Sequence, residues 1–387
     1  WHYSGSVEKR LETKISGIYL KTPVINIDSI AAGGGSIITY KQKRFVVGPD
    51  SAGSYPGPAC YRNGGPLTIT DCNLVLGKIV PSFFPVCFGK NKNQKISIGI
   101  AKYKFIHLLK KVQKDYPQIK SILELAEAYL EVAIENMSSA VKKVTSYKGI
   151  DLDNYSFLIF GSASGQLACS VAEKLKIKKI YFHPLSSFLS AYGVGVSNKG
   201  ENFQISIEKN LTINNILYSI KKIKNIIIKK YTIKKLIYFM RLKYLGSNTV
   251  ITVPLKKIKL NTLENTFKKK HLETYGFFYD NKKIFIDSIE AEIQCPEILD
   301  QKLNINALNY LRFDQKSTNI KKFHDTDKRS VLRSIDSNSF KESIVFNGPI
   351  LFNDFNTTIV IKNNWSIKKK NNNLYEIFKN HKRNKKV

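Results

Sequence analysis

Nine of the twenty residues from Val47 to Pro66 are glycine or proline, and this segment constrains the fold of the chain more than any other. Glycine permits backbone conformations that other residues avoid, whereas proline fixes its own φ and donates no N–H. The segment is therefore incompatible with a regular helix or a central strand. A simple linker rarely needs so many restraints, so the series indicates an irregular backbone with one fixed course.

Length and composition allow more than one core. The chain has 387 residues, of which 43% are hydrophobic, and we expect at least one sizeable core and a second beside it. No uninterrupted apolar run reaches the roughly 18 to 20 residues that span a bilayer. The first residue is Trp1, with no charged and apolar leader behind it. We expect a soluble, cytoplasmic chain that is a fragment of a longer protein.

The charge is strongly positive, with 62 Lys+Arg against 30 Asp+Glu and a formal net charge of +32. Such an excess often indicates nucleic-acid binding. Here it is almost all lysine, although arginine is the better side chain for bidentate contacts with phosphate or guanine. Lysine also occurs together with isoleucine and asparagine, as in residues 221–230. This pattern favours compositional drift, and a basic nucleic-acid module is only a third alternative below.

The cysteines give no sign of a zinc site or a disulfide framework. None forms a CxxC pair or has histidine partners at metal-ligand spacing, so we expect reduced thiols. Their positions are 60, 72, 87, 169 and 295.

One long helix is predicted in the middle of the chain. Apolar residues recur at helical spacing from Ile122 to Val144, Ser121 and Glu124 have the spacing of a capping box, and Gly149 is a stop signal. Residues 156–160 are then an apolar run, followed by small residues, a helical stretch to about Leu175 and a strand at 179–182. Strand, small-residue loop and helix in succession are typical of a phosphate or nucleotide site, and the alternation predicts an α/β core.

The second half has fewer chemical signals. We predict a Lys-rich amphipathic helix region over 206–240, strands with a helix near Phe267 over 241–295, and a strand pair around Gly348 over 341–366. The basic residues from 367 to 387 are expected to be disordered.

A second glycine cluster, Gly33, Gly34, Gly35 and Ser36, allows backbone amides to approach an anion. In isolation such a sequence more often forms a flexible turn. Here the Gly/Pro series begins eleven residues later, and residues 67–77 follow it. We predict that 67–77 is a strand that contains the carboxylate of Asp71.

Three motifs, in order and spacing, resemble the hydantoinase/oxoprolinase family. The A-half of that family carries AAGGGS, VGPxSAGxxPGPACYxxGG and TxTDANLxLG, and this chain has them at 31–36, 47–65 and 68–77, with Cys72 in place of the last alanine. Residues 81–94 are similar to a stretch of its ATP-dependent 5-oxoprolinase branch. The likeness extends over nearly the whole chain.

The resemblance implies a fold and a reaction. The fold is α/β: a partial actin-like, sugar-kinase-like ATPase core over residues 1–205, then a smaller α+β C-terminal domain over 206–366. The reaction opens the lactam of 5-oxo-L-proline to L-glutamate with ATP and Mg²⁺. An amide carbonyl is a poor electrophile, and its phosphorylation allows water to attack. The expected partners are 5-oxo-L-proline, the absent N-terminal part and B-half of the enzyme, and a second copy in a homodimer, with no membrane.

By the same likeness, two loops would hold the nucleotide. Asp71 and Arg62 are the candidate catalytic residues, the latter to meet a carboxylate or phosphate. Their plainer alternatives are a turn or helix-cap carboxylate and an ordinary exposed loop arginine. The metal ligands are not assigned. The cofactor-binding candidates are Gly33, Gly34, Gly35 and Ser36 in one loop and Gly161, Ser162, Ala163, Ser164 and Gly165 in the other.

The chain departs from the family in two respects. The family's second loop has the pattern FGGAGxxHA, whereas this chain has Ser162, Ser164 and Leu167 at two glycine positions and the histidine position. A Cβ where glycine had positive φ costs on the order of 1 kcal/mol or more, so we expect weaker ATP binding. The family's DxGGTxxD motif and B-half do not occur, so turnover by this chain alone is not expected. The leading hypothesis is part of an enzyme, and the alternative is a degenerate remnant that retains only the fold.

Overall fold

The computed structural model describes most of the chain from residue 32 onward, with gaps, and short pieces before it. The described residues are 3, 9–10, 13–15, 17–20, 24–27, 30, 32–147, 149–197, 200–229, 235–294, 333–336, 344–354, 357–370 and 374–380.

Helices and strands alternate along these ranges, as the sequence predicts for a mixed α/β protein. The α-helices are α1 Ile69–Val75, α2 Ile98–Val112, α3 Ile122–Tyr147, α4 Ala168–Lys174, α5 Leu189–Val196, α6 Ile213–Ile228 and α7 Leu260–Tyr275. The strands are β1 Lys9–Arg10, β2 Thr13–Ile15, β3 Ile18–Leu20, β4 Val24–Ile25, β5 Ser36–Lys41, β6 Arg44–Ser51, β7 Phe157–Ile159, β8 Lys179–Phe182, β9 Gly200–Asn210, β10 Lys235–Tyr244, β11 Ile251–Pro254, β12 Ile284–Gln294, β13 Arg333–Asp336, β14 Val345–Asn347, β15 Ile350–Asp354, β16 Thr357–Ile361, β17 Trp365–Lys369 and β18 Tyr375–Lys379.

The chain divides into two compact units. The first comprises Trp1–Tyr192 and Arg312–Val387, and the second comprises Gly193–Leu311. These bounds differ from the sequence-based division at 205/206 and 366. The reason is long-range strand pairing, because β18 lies antiparallel to β8, with Tyr375 opposite Phe182. No local pattern shows a pairing between residues nearly two hundred positions apart.

The first unit contains a five-stranded sheet in the order β14-β17-β18-β8-β7, in which only β7 and β8 are parallel. Helix α4 connects these two parallel strands, as the sequence predicts. β13, β15 and β16 form a three-stranded sheet, and β5 pairs with β6. Aromatic side chains fill the core, where the rings of Phe182 and Tyr375 stack with centroids 4.7 Å apart.

Helix α3 confirms the longest sequence prediction. Ser121 Oγ accepts the N–H of Glu124 at 3.1 Å, and the Glu124 carboxylate accepts the N–H of Lys120 at 2.8 Å. At the other end Gly149 has φ of 63°, the left-handed conformation that stops a helix. Helix α2 was not predicted.

Residues 67–77 correct the sequence analysis. We predicted a strand, but Ile69–Val75 is helix α1, and every residue of it is buried. The β-branched residues before Asp71 favour a strand by propensity, but a capping box between Thr68 and Asp71 starts a helix instead.

The basic segment from residue 367 is also corrected where it is described. Trp365–Lys369 and Tyr375–Lys379 are adjacent strands whose inward side chains, including Ile367 and Ile377, are buried. The apolar residues alternate with polar ones, which is the strand period, and the intervening lysines and asparagines obscure this pattern. Residues 371–373 and 381–387 lie outside the described residues. The strand pair predicted around Gly348 also differs, because β14 pairs with β17 and β15 pairs with β16.

The second unit is an antiparallel sheet in the order β11-β10-β12-β9 with two helices. Helix α6 packs on β9 and β12, and α7 packs on β11. The predicted amphipathic helix is present over 213–228, with Ile216, Ile223 and Ile227 buried. Residues 206–210 of the predicted region belong to β9 and residues 235–240 to β10, and residues 230–234 lie outside the described residues.

Within the described ranges, no helix is both long and apolar enough to cross a bilayer. Four described cysteines have free thiols, three of them buried, and Cys295 lies outside the described residues.

Candidate functional site

Helix α1 holds the first glycine loop, residues 33–36, through hydrogen bonds. The N–H of Thr70 and its Oγ1 both donate to the carbonyl of Gly34, each at 2.9 Å. The carbonyl of Gly35 accepts the N–H of Ala52 at 2.9 Å. Within the loop, Ser36 Oγ accepts the N–H of Gly33 at 2.9 Å. The loop carbonyls are therefore fixed on the protein side.

The second glycine loop, residues 161–165, connects β7 to α4 as the sequence predicts. The N–H of Gly161 donates to the carbonyl of Ser186 at 2.7 Å, and Ser164 Oγ donates to the carbonyl of Gly161 at 3.1 Å. Gly165 lies against β16, because a Cβ on it would be 2.5 Å from Ile359 Cγ1. Only glycine allows this approach, and it fixes the end of the loop.

The two loops meet at Gly34 and Ala163. A Cβ placed on Gly34 would lie 3.4 Å from Ala163 Cβ and 2.8 Å from Thr70 Oγ1. The fold thus brings together two segments that are more than a hundred residues apart in the sequence.

In the part of the chain that the structure describes, the N–H groups of Gly34, Gly35, Ser162 and Ala163 have no hydrogen-bond acceptor. These residues are half-buried or exposed. Clustered N–H groups that are free and accessible attract anions, and phosphate is the commonest such ligand. The residues present therefore fit the phosphates of a nucleotide.

The serines of the second loop do not strain it. Neither Ser162 nor Ser164 is among the described residues with positive φ, whereas Gly161 has φ of 88°. The predicted penalty for serine in a left-handed conformation is therefore absent at both positions. Leu167, at the histidine position of the family motif, is buried in the apolar core.

Asp71 is a buried helix-cap carboxylate, the plainer of its two alternatives. One carboxylate oxygen accepts the N–H of Cys60 at 2.8 Å, and the other accepts the N–H groups of Ala59 at 3.0 Å and Thr68 at 2.9 Å. Burial raises the pKa of Asp71, and these donors oppose that rise. With 0% of its surface exposed, Asp71 is placed to fix the Gly/Pro series to α1.

Arg62 is an exposed loop residue with a backbone role. It has φ of 69° and ends a short 3-10 helix, and its Nε donates to the carbonyl of Lys95 at 2.7 Å. Within the described chain, Arg62 makes no hydrogen bond to a residue of either glycine loop. The structure thus does not bring Arg62 and Asp71 into one cluster with the loops.

The sequence analysis missed two buried amides beside the second loop. Asn73 Nδ2 donates to Gln166 Oε1 at 2.7 Å, across 93 positions of sequence. The spacing of Thr70 and Asn73 places both on one face of a helix, and this signal was lost because the segment was predicted as a strand.

A separate cavity of about 430 Å³ has Gln166 in its wall. Its charged lining comes from Lys78, Lys362, Glu127 and other residues, with no residue of the first glycine loop among them. The cavity is therefore not the space between the two loops.

The described residues contain no group of three or more His, Cys, Asp or Glu side chains that could hold a metal ion. The carboxylate of Asp71, which follows Thr70 in the sequence, already accepts backbone N–H groups.

Comparison with known proteins agrees with the motifs. A profile described as hydantoinase/oxoprolinase matches residues 1–201. The chain belongs to the hydantoinase/oxoprolinase family. It is similar to the 5-oxoprolinase of Saccharomyces cerevisiae, with 35% identity over 296 residues, which is 74% of this chain and 23% of the yeast protein. It is also similar to the 5-oxoprolinase of Dictyostelium discoideum, with 31% identity over 76% of this chain and 24% of that protein.

Two solved structures share the fold of this chain. The nucleotide-free structure of an acetone carboxylase superposes with a TM-score of 0.74 at 16% identity, covering 97% of this chain and 56% of that chain. An ATP-dependent caprolactamase from Pseudomonas jessenii gives 0.72 at 19% identity, covering 96% and 56%. The chain spans about a quarter of the length of the oxoprolinases it matches.

Proposed function

We propose that the two glycine loops form part of the ATP phosphate site of a 5-oxoprolinase that opens 5-oxo-L-proline to L-glutamate. One observation carries the proposal: two distant loops come into contact at Gly34 and Ala163, whose N–H groups have no acceptor in the described chain. The family membership and the similarity to named 5-oxoprolinases support it. An actin-like, sugar-kinase-like ATPase core is part of the same proposal.

The residues of this chain would bind and orient the nucleotide. When bound, ATP supplies the phosphoryl group that makes the lactam carbonyl a better electrophile. The N–H groups of Gly34, Gly35, Ser162 and Ala163 would hold phosphate oxygens. Thr70 keeps the first loop in place. Asp71 would act as a positioning residue rather than in direct contact with substrate.

Other parts of the proposal belong to the longer protein. Mg²⁺ ligands, the lactam site and the B-half would come from outside the described residues, and a cytoplasmic homodimer is part of the same proposal. The test is ATP cleavage that depends on 5-oxoproline, measured on the full-length protein with Mg²⁺ supplied. Its absence in folded protein would reject the oxoprolinase activity.

The phosphate site can be tested on this chain with two variants of one residue. Ala163→Asp places a negative charge beside Gly34, and Ala163→Asn adds a side chain of nearly the same size without charge. Ala163 has φ of −98°, which both residues adopt. We expect the Asp variant to bind ATP at least about tenfold more weakly than the Asn variant, because the added carboxylate repels the phosphates of ATP. Equal affinities, or no ATP binding by the wild-type chain, would reject the phosphate site.

A degenerate remnant is the second candidate. The buried Leu167 favours it, since no imidazole is available at that position of the loop. This alternative predicts cooperative thermal unfolding with no rise in Tm on adding ATP up to millimolar concentrations. A rise in Tm with ATP would exclude it.

A further inference from the structure

Helix α1 fixes three separate segments with three polar side chains. Thr70 holds the first glycine loop, Asp71 holds the Gly/Pro series at Ala59 and Cys60, and Asn73 contacts Gln166. This short helix thus connects every glycine-rich segment of the candidate site.

The Asn73–Gln166 contact leads directly to the second loop. The N–H of Gln166 donates to the carbonyl of Ala163 at 3.2 Å. Ala163 in turn lies beside Gly34, which Thr70 holds. The contacts form a closed ring, from Gly34 through α1 to Gln166 and back through Ala163.

This pair is an inefficient way to stabilise a core. Asn73 and Gln166 are 1% and 6% exposed, and Asn73 Oδ1 has no hydrogen-bond partner in the described chain. Burying such a group is unfavourable, whereas two apolar side chains of similar shape are often neutral or stabilising. The amide pair therefore contributes a defined geometry more than stability.

We propose that Asn73 and Gln166 are positioning residues that hold the second glycine loop against the first, so that their free N–H groups converge on one anion. This inference rests on the proposed function for its role in ATP binding. The placement of the loop itself is independent of ATP.

The test compares two double variants of the 387-residue chain. Asn73→Leu/Gln166→Met removes the hydrogen bond and keeps the volume, whereas Asn73→Gln/Gln166→Asn reverses the pair and keeps an amide on each side. The measurements are thermal unfolding, the Kd for ATP, and amide hydrogen exchange at Gly161 and Gln166, whose N–H groups donate to the carbonyls of Ser186 and Ala163. The N–H of Ile38, bonded to Leu67, is the internal control for exchange.

We expect the apolar variant to keep the wild-type Tm, to exchange about tenfold faster at Gly161 and Gln166, and to bind ATP about tenfold more weakly. The reversed pair should stay within about threefold of wild type in both the exchange rates and the Kd for ATP. Unchanged exchange in the apolar variant would overturn the inference, as would equal losses in both double variants. If the wild-type chain does not bind ATP, the proposed function fails, and the exchange measurement still decides the role of the pair.

Discussion

Replacing Asp71 with Asn separates its two predicted roles. In the wild type, one carboxylate oxygen accepts the N–H groups of Ala59 and Thr68, and the other accepts the N–H of Cys60 at 2.8 Å. Asparagine can place its oxygen at the first position, but its NH₂ group then faces the Cys60 N–H. Two donors are left opposed in a fully buried site.

The cost follows from these contacts. Losing one hydrogen bond to a charged group removes about 1.5–3 kcal/mol, and leaving a buried N–H unpaired adds about 1–3 kcal/mol, so we expect about 2.5–6 kcal/mol in all. At about 2–4 °C per kcal/mol for a unit of this size, Tm falls by roughly 5–24 °C.

The assay is thermal and urea unfolding followed by circular dichroism. Asp153→Asn is the matched control, because the side chain of Asp153 is 52% exposed and its ion pair with Lys178 spans 3.8 Å. Its effect should stay within about 0.5 kcal/mol. Equal Tm values for both variants would refute the cap argument. Loss of ATP cleavage by the full-length protein at unchanged Tm would restore a catalytic role for Asp71.

Two further predictions concern β18, which we predicted as disordered from sequence. Burial acts to raise the pKa of Glu376, but the ion pair with Lys368 at 3.2 Å and the hydrogen bond from Tyr181 outweigh it and hold the pKa below the ordinary value of 4.5. The ionised carboxylate thus stabilises the fold above the ordinary pKa, and the stabilisation is lost as pH falls through the lowered pKa. Glu376→Gln should lower the urea midpoint at pH 7, and its difference from wild type should shrink as pH falls through the lowered pKa, whereas a constant difference would contradict this. Ile377→Ala should cost about 2–5 kcal/mol because Ile377 is fully buried, whereas exposed Lys379→Ala should change little, as judged by urea unfolding. A disordered segment would give no difference between these two.

Local patterns predicted the elements whose signals lie within one stretch of chain. The helical period and end signals of α3 held to within a few residues, as did the succession of β7, small-residue loop, α4 and β8. Propensity failed at α1, where buried polar contacts of Thr68 and Asp71 outweigh the preference of β-branched residues for strands. It failed again at β17 and β18, because β18 is held by pairing with the distant strand β8 and β17 by pairing with β18.

In the candidate site too, local sequence predicts some features and long-range contacts decide the others. The two glycine loops were predicted by composition and motif, and their backbone donors need no particular side chain. Their adjacency was not predictable, since it depends on Thr70 and Gln166 meeting partners far away in sequence. The roles predicted for Asp71 and Arg62 remain predictions without a contact to either loop among the described residues.

The sequence by itself determined the family, the helical and strand periods, and the flexible backbone of the glycine loops, because these properties are set by neighbouring residues. Only the tertiary structure decided which loops meet, that β17 and β18 belong to the sheet of the first unit, and that Asp71 is a buried anchor. Those outcomes depend on burial and on hydrogen bonds between distant residues. Their free energies exceed the local preferences of the segments that form them.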